Sequence, residues 1–289
     1  MALNIEKLKE RLAQLNSKGN GGSSMGFLTI ADGRNVLRVL PALNDDDFFY
    51  KEVYVHYGVG KTEQNPKGTM VVCPTTDGDG KPCPVCQLSK AYKDASKAKD
   101  DQYDKESRSL WRKKRVYYNA IGRDENLSDY KKNSEGKWVN AKGEEENPVK
   151  VLGTGVGILK DILGIICDPE YGDITDPEKG LDLIITKSGT GFNTNYDVKT
   201  VRKESPIGFE FWKECLNDLA ILAKYKTYSE IEAIVNGEET PAETPASTST
   251  TESSDTSAKE DTTKENTSEG GSSETLEDEI KKALKLRQR

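Results

Sequence analysis

Between Glu238 and Glu274 the chain contains no Val, Ile, Leu, Met, Phe, Trp or Tyr. A stretch of that composition has nothing to bury against the entropy of ordering its backbone, so a packed core must be built from the residues before it. Residues 237–274 therefore read as a disordered, acidic, Ser/Thr-rich linker. The formal charge of −7 is concentrated there: 238–274 hold ten acids against two lysines, residues 275–289 carry net +2, and residues 1–237 are left at −1. A near-neutral core leaves room for a strongly basic patch, so the sequence pI of about 5.1 does not exclude a nucleic-acid partner. No run of about 18 apolar residues exists, so no membrane-spanning helix is expected. The opening MALNIEKLKERLAQLN is charged and lacks a signal peptide's apolar stretch, so the five cysteines are expected as reduced thiols or metal ligands.

Residues 3–15 read as an amphipathic helix, either packed on the core or serving as an arm that docks on a neighbouring copy, and SKGNGGSS after it reads as a flexible joint. Strand patterns follow at 35–41, 48–59, 69–73, 115–122, 148–153, 181–186 and 195–203. Helical patterns occupy 85–99, 157–167 and 206–225, the last being the strongest. Many short strands, few helices and long loops predict a mainly β fold with helices (α+β): a small β-barrel with insertions.

The sharpest local motif is CPVC, Cys83 to Cys86. Two thiolates at this spacing can clamp one tetrahedral cation, and zinc needs two further ligands. Cys73 lies ten residues before Cys83, and His56, the single histidine, lies seventeen before Cys73. His56, Cys73, Cys83 and Cys86 would fill a His-Cys₃ shell with no open position, which describes one structural Zn²⁺ rather than a catalytic one. Two other readings stand beside it: a C-x-x-C redox pair, or four unrelated buried side chains. Cys167 and Cys215 sit in apolar helical patterns and read as small core residues.

Residues 108–118, RSLWRKKRVYY, hold five bases, no acid and the rings Trp111, Tyr117 and Tyr118. Cations that neutralise phosphates beside rings that stack on unpaired bases make a single-strand groove. The competing reading is a solvated basic strand whose rings fill the core, and on an alternating strand about half of them must point inward. GTGFNTNYD, 189–197, reads as a tight turn carrying Phe192 and Tyr196 at or beside its tip. An oxidoreductase built on CPVC, and a zinc-ribbon module that binds only protein, are the rival functions. Nuclease or polymerase chemistry is not expected, because Asp45–Asp47 lack a second carboxylate group to share a metal; nor is a phosphate-binding loop present, since GTGVGILK lacks its Gly-Lys-Ser/Thr ending.

Taken together, NVLRVLP, VYVHYG, the cysteine spacing into CPVCQ, SLWRKKRVYYNA and GFNTNYD resemble the T-even-type bacteriophage single-stranded-DNA-binding (helix-destabilising) protein family, in the same order over about residues 25–235. The resemblance implies an OB-fold core over 24–236 with an inserted zinc subdomain at about 53–105 and single-stranded DNA in the cleft between them. It implies no enzyme but a sequence-independent, cooperative coat on exposed strands during phage replication, recombination and repair, in the cytoplasm of a bacterial host. It makes His56, Cys73, Cys83 and Cys86 the zinc ligands. Arg112, Lys113, Lys114 and Arg115 fall on the family's basic run, Tyr117 and Tyr118 on the aromatic pair after it, and Phe192 and Tyr196 on the hairpin aromatics. Tyr92 and Tyr103 fall on tyrosines between knuckle and basic run. Two stretches depart from the family pattern. The arm disperses Lys7, Lys9 and Arg11 instead of clustering them. The chain closes on TLEDEIKKALKLRQR, where Leu276, Ile280 and Leu284 form an apolar stripe on a short helix over 275–289 that would order on a protein partner.

Overall fold

The computed structural model describes residues 25–44, 47–77, 80–96, 101–124 and 126–238. The expectations for the arm at 1–23, the acidic linker and the terminal helix with Leu276, Ile280 and Leu284 concern residues outside that set. Ten strands are described: β1 (Phe27–Leu28), β2 (Gly33–Val39), β3 (Tyr50–Val59), β4 (Thr69–Val72), β5 (Lys113–Gly122), β6 (Lys131–Lys132), β7 (Trp138–Val139), β8 (Lys150–Gly155), β9 (Leu183–Ser188) and β10 (Asn195–Thr200). Four α-helices accompany them among the described residues: α1 (Pro84–Ser96), α2 (Asp101–Leu110), α3 (Val156–Cys167) and α4 (Tyr228–Asn236). All seven strand patterns are strands, and the mixed α and β content matches the expected class. None of the described helices is long and apolar enough to cross a membrane.

Eight strands make one sheet in the order β1-β8-β5-β2-β9-β10, with β3 pairing β5 and β4. The pairs β2–β5, β2–β9, β3–β5, β5–β8 and β9–β10 are antiparallel, and β1–β8 is parallel. Strand β5 is the hub. One edge pairs with β8 over Arg115–Ala120, and the other pairs with β3 over Lys113–Tyr118 and then with β2 over Ala120–Gly122. Its alternation explains why it can be apolar on both sides. Val116, Tyr118 and Ala120 join the main core with Leu37, Val39, Leu152, Leu183, Ile185 and the α3 residues Ile158, Leu159 and Ile162. Tyr117 points the other way, into a cluster with Val53, Val55, Val151 and Ala223. Gly153 of β8 makes this possible, because a Cβ there would press on the Tyr117 ring at 3.1 Å.

The chain divides into two compact units. One takes the described parts of 1–55, 72–80 and 112–225, and holds most of the sheet. The other takes 56–71, 81–111 and 226 onward. Inside this smaller unit α1 and α2 are tied by a reciprocal pair: Ser89 Oγ donates to the Ser107 carbonyl at 2.9 Å and Ser107 Oγ to that of Ser89 at 2.8 Å. Helix α4 starts on a Thr227–Glu230 capping box and stops at Gly237, whose φ of 77° is left-handed. It buries Ile231 and Ile234, and the Tyr228 hydroxyl donates to Gln87 at 2.8 Å.

The strongest helical pattern, 206–225, is not an α-helix. It forms two 3-10 turns, Glu210–Cys215 and Leu219–Ala223. Tertiary hydrogen bonds pull the middle out of the helix. The Asn217 N–H and Nδ2 both donate to Asn119 Oδ1, at 2.9 and 3.0 Å, and Nδ2 donates to the Val149 carbonyl at 3.0 Å. Asp218 then caps the second turn by accepting from the Ala220 N–H. Cys215 is buried, and desolvation pushes its thiol pKa up to about 12. Cys167, at the end of α3, is exposed rather than a core residue.

Candidate metal centre and cation-aromatic strand

The ligand atoms of His56, Cys73, Cys83 and Cys86 all lie within 4.8 Å of one another, a set that could hold a metal ion. Local structure presents each of them. His56 lies inside β3, Cys73 directly follows β4, Cys83 precedes Pro84 at the start of α1, and Cys86 falls in its first turn. His56, Cys73 and Cys83 are buried and Cys86 is partly so. The His56 Nδ1 lies 2.6 Å from the Leu110 carbonyl, which can only accept, so Nδ1 carries the proton. The bare Nε2 is then aimed at sulfur, 3.5 Å from both Cys83 Sγ and Cys86 Sγ. Fixing the imidazole through its other nitrogen is the usual outer support of a histidine ligand.

Two connections run from these four residues to the start of β5. The Leu110 carbonyl, held by His56, is the last of α2 and immediately precedes Trp111. On the other side Thr75 contacts Cys73 Sγ through its hydroxyl at 3.0 Å, and the Arg112 guanidinium donates to that same hydroxyl. Arg112 also lies 4.7 Å over the Tyr54 ring and Lys114 Nζ 5.3 Å from it. Lys114 is further paired with Glu52 at 3.0 Å, and that hydrogen bond raises its pKa. Arg115 donates to the Gly153 carbonyl at 2.9 Å, while Lys113 is exposed.

The rings expected to stack divide sharply. Trp111 is 53% exposed and Tyr196 is 38% exposed, whereas Tyr117 and Tyr118 are 6% and 0% exposed. A ring with no open face offers nothing to a base, so Tyr117 and Tyr118 are core side chains. Burial raises the Tyr118 pKa further above its ordinary value. Tyr92 is likewise buried, stacked on the partly exposed Tyr103 with centroids 6.0 Å apart. Trp111 lies between α2 and β5, its N–H donating to the Ser107 carbonyl at 3.0 Å. Phe192 lies in the 3-10 turn Gly191–Asn193 that joins β9 to β10, and Tyr196 stands opposite Lys187 in that hairpin. Three residues at the start of β5's surroundings, Glu52, Tyr54 and Thr75, are absent from the sequence-based site. The alternation of YKEVYV signals a shared face for the first two, but their partners on β5 depend on register.

Cations and rings gather at the start of β5, a composition suited to contact with a polyanion. A family model described as gp32 DNA binding protein like matches residues 31–237, and the chain belongs to this family of T-even-type phage single-stranded-DNA-binding proteins. It is 26% identical over 256 residues to the single-stranded DNA-binding protein of Enterobacteria phage T4, covering 78% of this chain and 74% of that protein. It is 25% identical over 254 residues to that of Enterobacteria phage T2, covering 80% and 74%.

Proposed function

We propose that this chain binds single-stranded DNA without regard to sequence, on an OB-type sheet braced by one structural zinc, and so coats unpaired strands in phage replication, recombination and repair within the bacterial host. The observation that carries this reading is the segment Trp111–Arg115. It carries an exposed indole and four consecutive cations; the Leu110 carbonyl just before it is held by His56, and Arg112 is linked to Cys73 through the Thr75 hydroxyl. Phosphate contacts would supply most of the affinity, and stacking adds about 1–3 kcal/mol per base with little sequence preference. The names of the T4 and T2 relatives support the same ligand. The exchange of β3 for β2 along one edge of β5 fits the bent, partly open barrel of OB-folds.

The cluster's chemistry favours zinc. Bond lengths of roughly 2.05 Å to nitrogen and 2.3 Å to sulfur at tetrahedral angles give a nitrogen–sulfur edge of about 3.6 Å. The two Nε2–Sγ separations of 3.5 Å match that edge. Three sulfurs and one imidazole leave no position for substrate, so the metal's contribution is mechanical: it would fix the ends of β3 and β4 against α1. The chain's own groups then set the binding geometry. His56 holds the Leu110 carbonyl, and Thr75 holds Arg112. Copy-to-copy contact through residues 1–23, and capture of replication or recombination proteins through 237–289, complete the proposal.

Titration with oligo-dT, followed by intrinsic fluorescence, tests it. Binding should weaken with salt by about 0.7 log units per log unit for each phosphate contacted, and a duplex of equal length should bind far more weakly. No binding at low salt, or equal binding to duplex, would reject the proposal. The Trp111→Ala variant should lose about five- to 150-fold in oligo-dT affinity, the equivalent of one stacked base. Its unfolding free energy should change by less than about 0.5 kcal/mol, since the ring is half exposed. Undiminished affinity would remove Trp111 from the interface.

A further inference from the structure

Four of the five bases in 108–115 are already engaged by groups of this chain. Arg108 pairs with Asp104 one helical turn away, Arg112 is held by Thr75 and the Tyr54 ring, and Arg115 donates to a backbone carbonyl. Lys114 differs from Arg112 and Arg115 in that its partner is a carboxylate, Glu52, 3.0 Å from Nζ, and from Arg108 in that this pair joins two strands rather than one turn of an exposed helix. Glu52 is the one acid in the twenty residues of β3 and β5. Register explains the meeting. Tyr54 stands opposite Lys114 and Glu52 opposite Val116, so Glu52 and Lys114 are diagonal neighbours on one face. Both side chains remain partly exposed, 30% for Lys114 and 39% for Glu52. A pair so placed is weak, because solvent screens both charges, so a phosphate arriving from solvent can displace the carboxylate.

We infer that Glu52 is a built-in competitor for phosphate at Lys114, holding DNA affinity below what the cationic strand would reach alone and easing release of the bound strand. The inference rests on the single-stranded-DNA reading and specifies how that site is tuned. A phosphate oxygen and the Glu52 carboxylate need the same ammonium donors, so each contact with DNA at this position must first break the internal pair. The raised Lys114 pKa, caused chiefly by the hydrogen bond to Glu52, is consistent with a pair that forms in the unbound protein. A carboxylate left behind after displacement would face the phosphate directly, and like charges in that position repel.

The test is a double-mutant cycle with E52Q, K114A and the combined variant, each titrated with oligo-dT over a range of salt. E52Q should bind about two- to tenfold more tightly at low salt. Its log–log salt slope should steepen by up to about 0.7, as one more phosphate contact is made in full. K114A should bind more weakly, and adding E52Q to it should recover clearly less than E52Q gains in the native background, because only the direct repulsion is then removed. An E52Q variant with native affinity and slope would overturn the inference. So would an equal gain from E52Q in the K114A background, which would mean a general loss of negative charge rather than release of Lys114. A native chain that fails to bind oligo-dT at low salt would overturn the DNA reading itself, an outcome distinguishable from the others because it precedes any variant.

Discussion

Replacing Cys83 with serine is expected to abolish stoichiometric zinc binding and unfold the smaller unit while the sheet unit keeps its core. The asymmetry follows from what each unit buries. The sheet unit holds the main cluster, with Leu37, Val39, Val116, Tyr118, Leu152 and Ile162 among thirteen buried members. Among the described residues of the smaller unit the buried aliphatics are few: Val59, Val71, Val85, Leu110, Ile231 and Ile234. Small cores of that kind depend on a staple, and structural zinc in isolated fingers contributes about 10–16 kcal/mol of apparent binding energy at pH 7. Cys83 is buried with its sulfur 3.5 Å from His56 Nε2, so a serine hydroxyl would replace the soft ligand at the centre of the cluster. Limited proteolysis with zinc analysis checks this. Cleavage should concentrate within 81–111 while β5, β8 and β9 stay protected, with metal content falling from one per chain to near zero. A C83S protein with full metal content and native protease resistance would contradict the structural-zinc reading.

The second large effect is expected at Asp182. This carboxylate is buried, accepts from Arg123 Nε at 3.0 and 3.1 Å and from Ser205 Oγ at 2.7 Å, and faces Arg38. Arg38 is fully buried, and burial lowers its pKa, with Asp182 the leading group opposing that change. Its Nη2 donates to the Asp176 carbonyl, while Nε and Nη1 have no protein partner. Asp182→Asn would therefore leave Arg123 without its ion pair and remove the largest negative charge acting on the buried Arg38, with Asp176 and Asp173 left to act on it. Removing one member of a buried charged set costs about 3–5 kcal/mol, because the remaining charge stays desolvated. Arg123 also donates to the carbonyls of Ser205, Pro206 and Ile207, so the 205–207 loop should loosen with it. Urea unfolding checks the magnitude. Asp197→Asn, which breaks the exposed pair with Lys199, is the control and should cost less than about 0.5 kcal/mol. Equal destabilisation by both variants would show that Asp182 does not bridge the two arginines.

Short runs rich in β-branched and aromatic residues, bounded by turn residues, are enough to locate seven of the ten described strands. The other three, β1, β6 and β7, have two residues each and carry no period. The four candidate ligands are legible because few residue types bind soft cations and the chain has one histidine. The helical pattern at 206–225 misleads because its apolar spacing comes from contacts of two short turns, while the Asn217–Asn119 exchange that breaks it joins residues 98 apart. Tyr117 and Tyr118 are ambiguous in sequence for a similar reason. A strand covered on both faces, as β5 is, buries consecutive rings that a one-sided strand would split between core and solvent. The Arg38–Asp182–Arg123 set is invisible because a charged residue in a strand pattern reads as solvent-facing until the register is known. Glu52 is inconspicuous beside five bases, although it pairs with one of them, Lys114.

In the proposed mechanism the metal cage positions the DNA-gripping strand, through His56 to Leu110 and through Cys73 and Thr75 to Arg112. Oligo-dT affinity measured on the metal-loaded protein, after removal of the metal by a chelator, and after zinc is restored tests this most directly. Tight, salt-sensitive binding should fall at least tenfold on stripping and return with zinc, a change of about 1.4 kcal/mol or more. A stripped protein that binds oligo-dT as tightly as the loaded one, with the same salt slope, would contradict it.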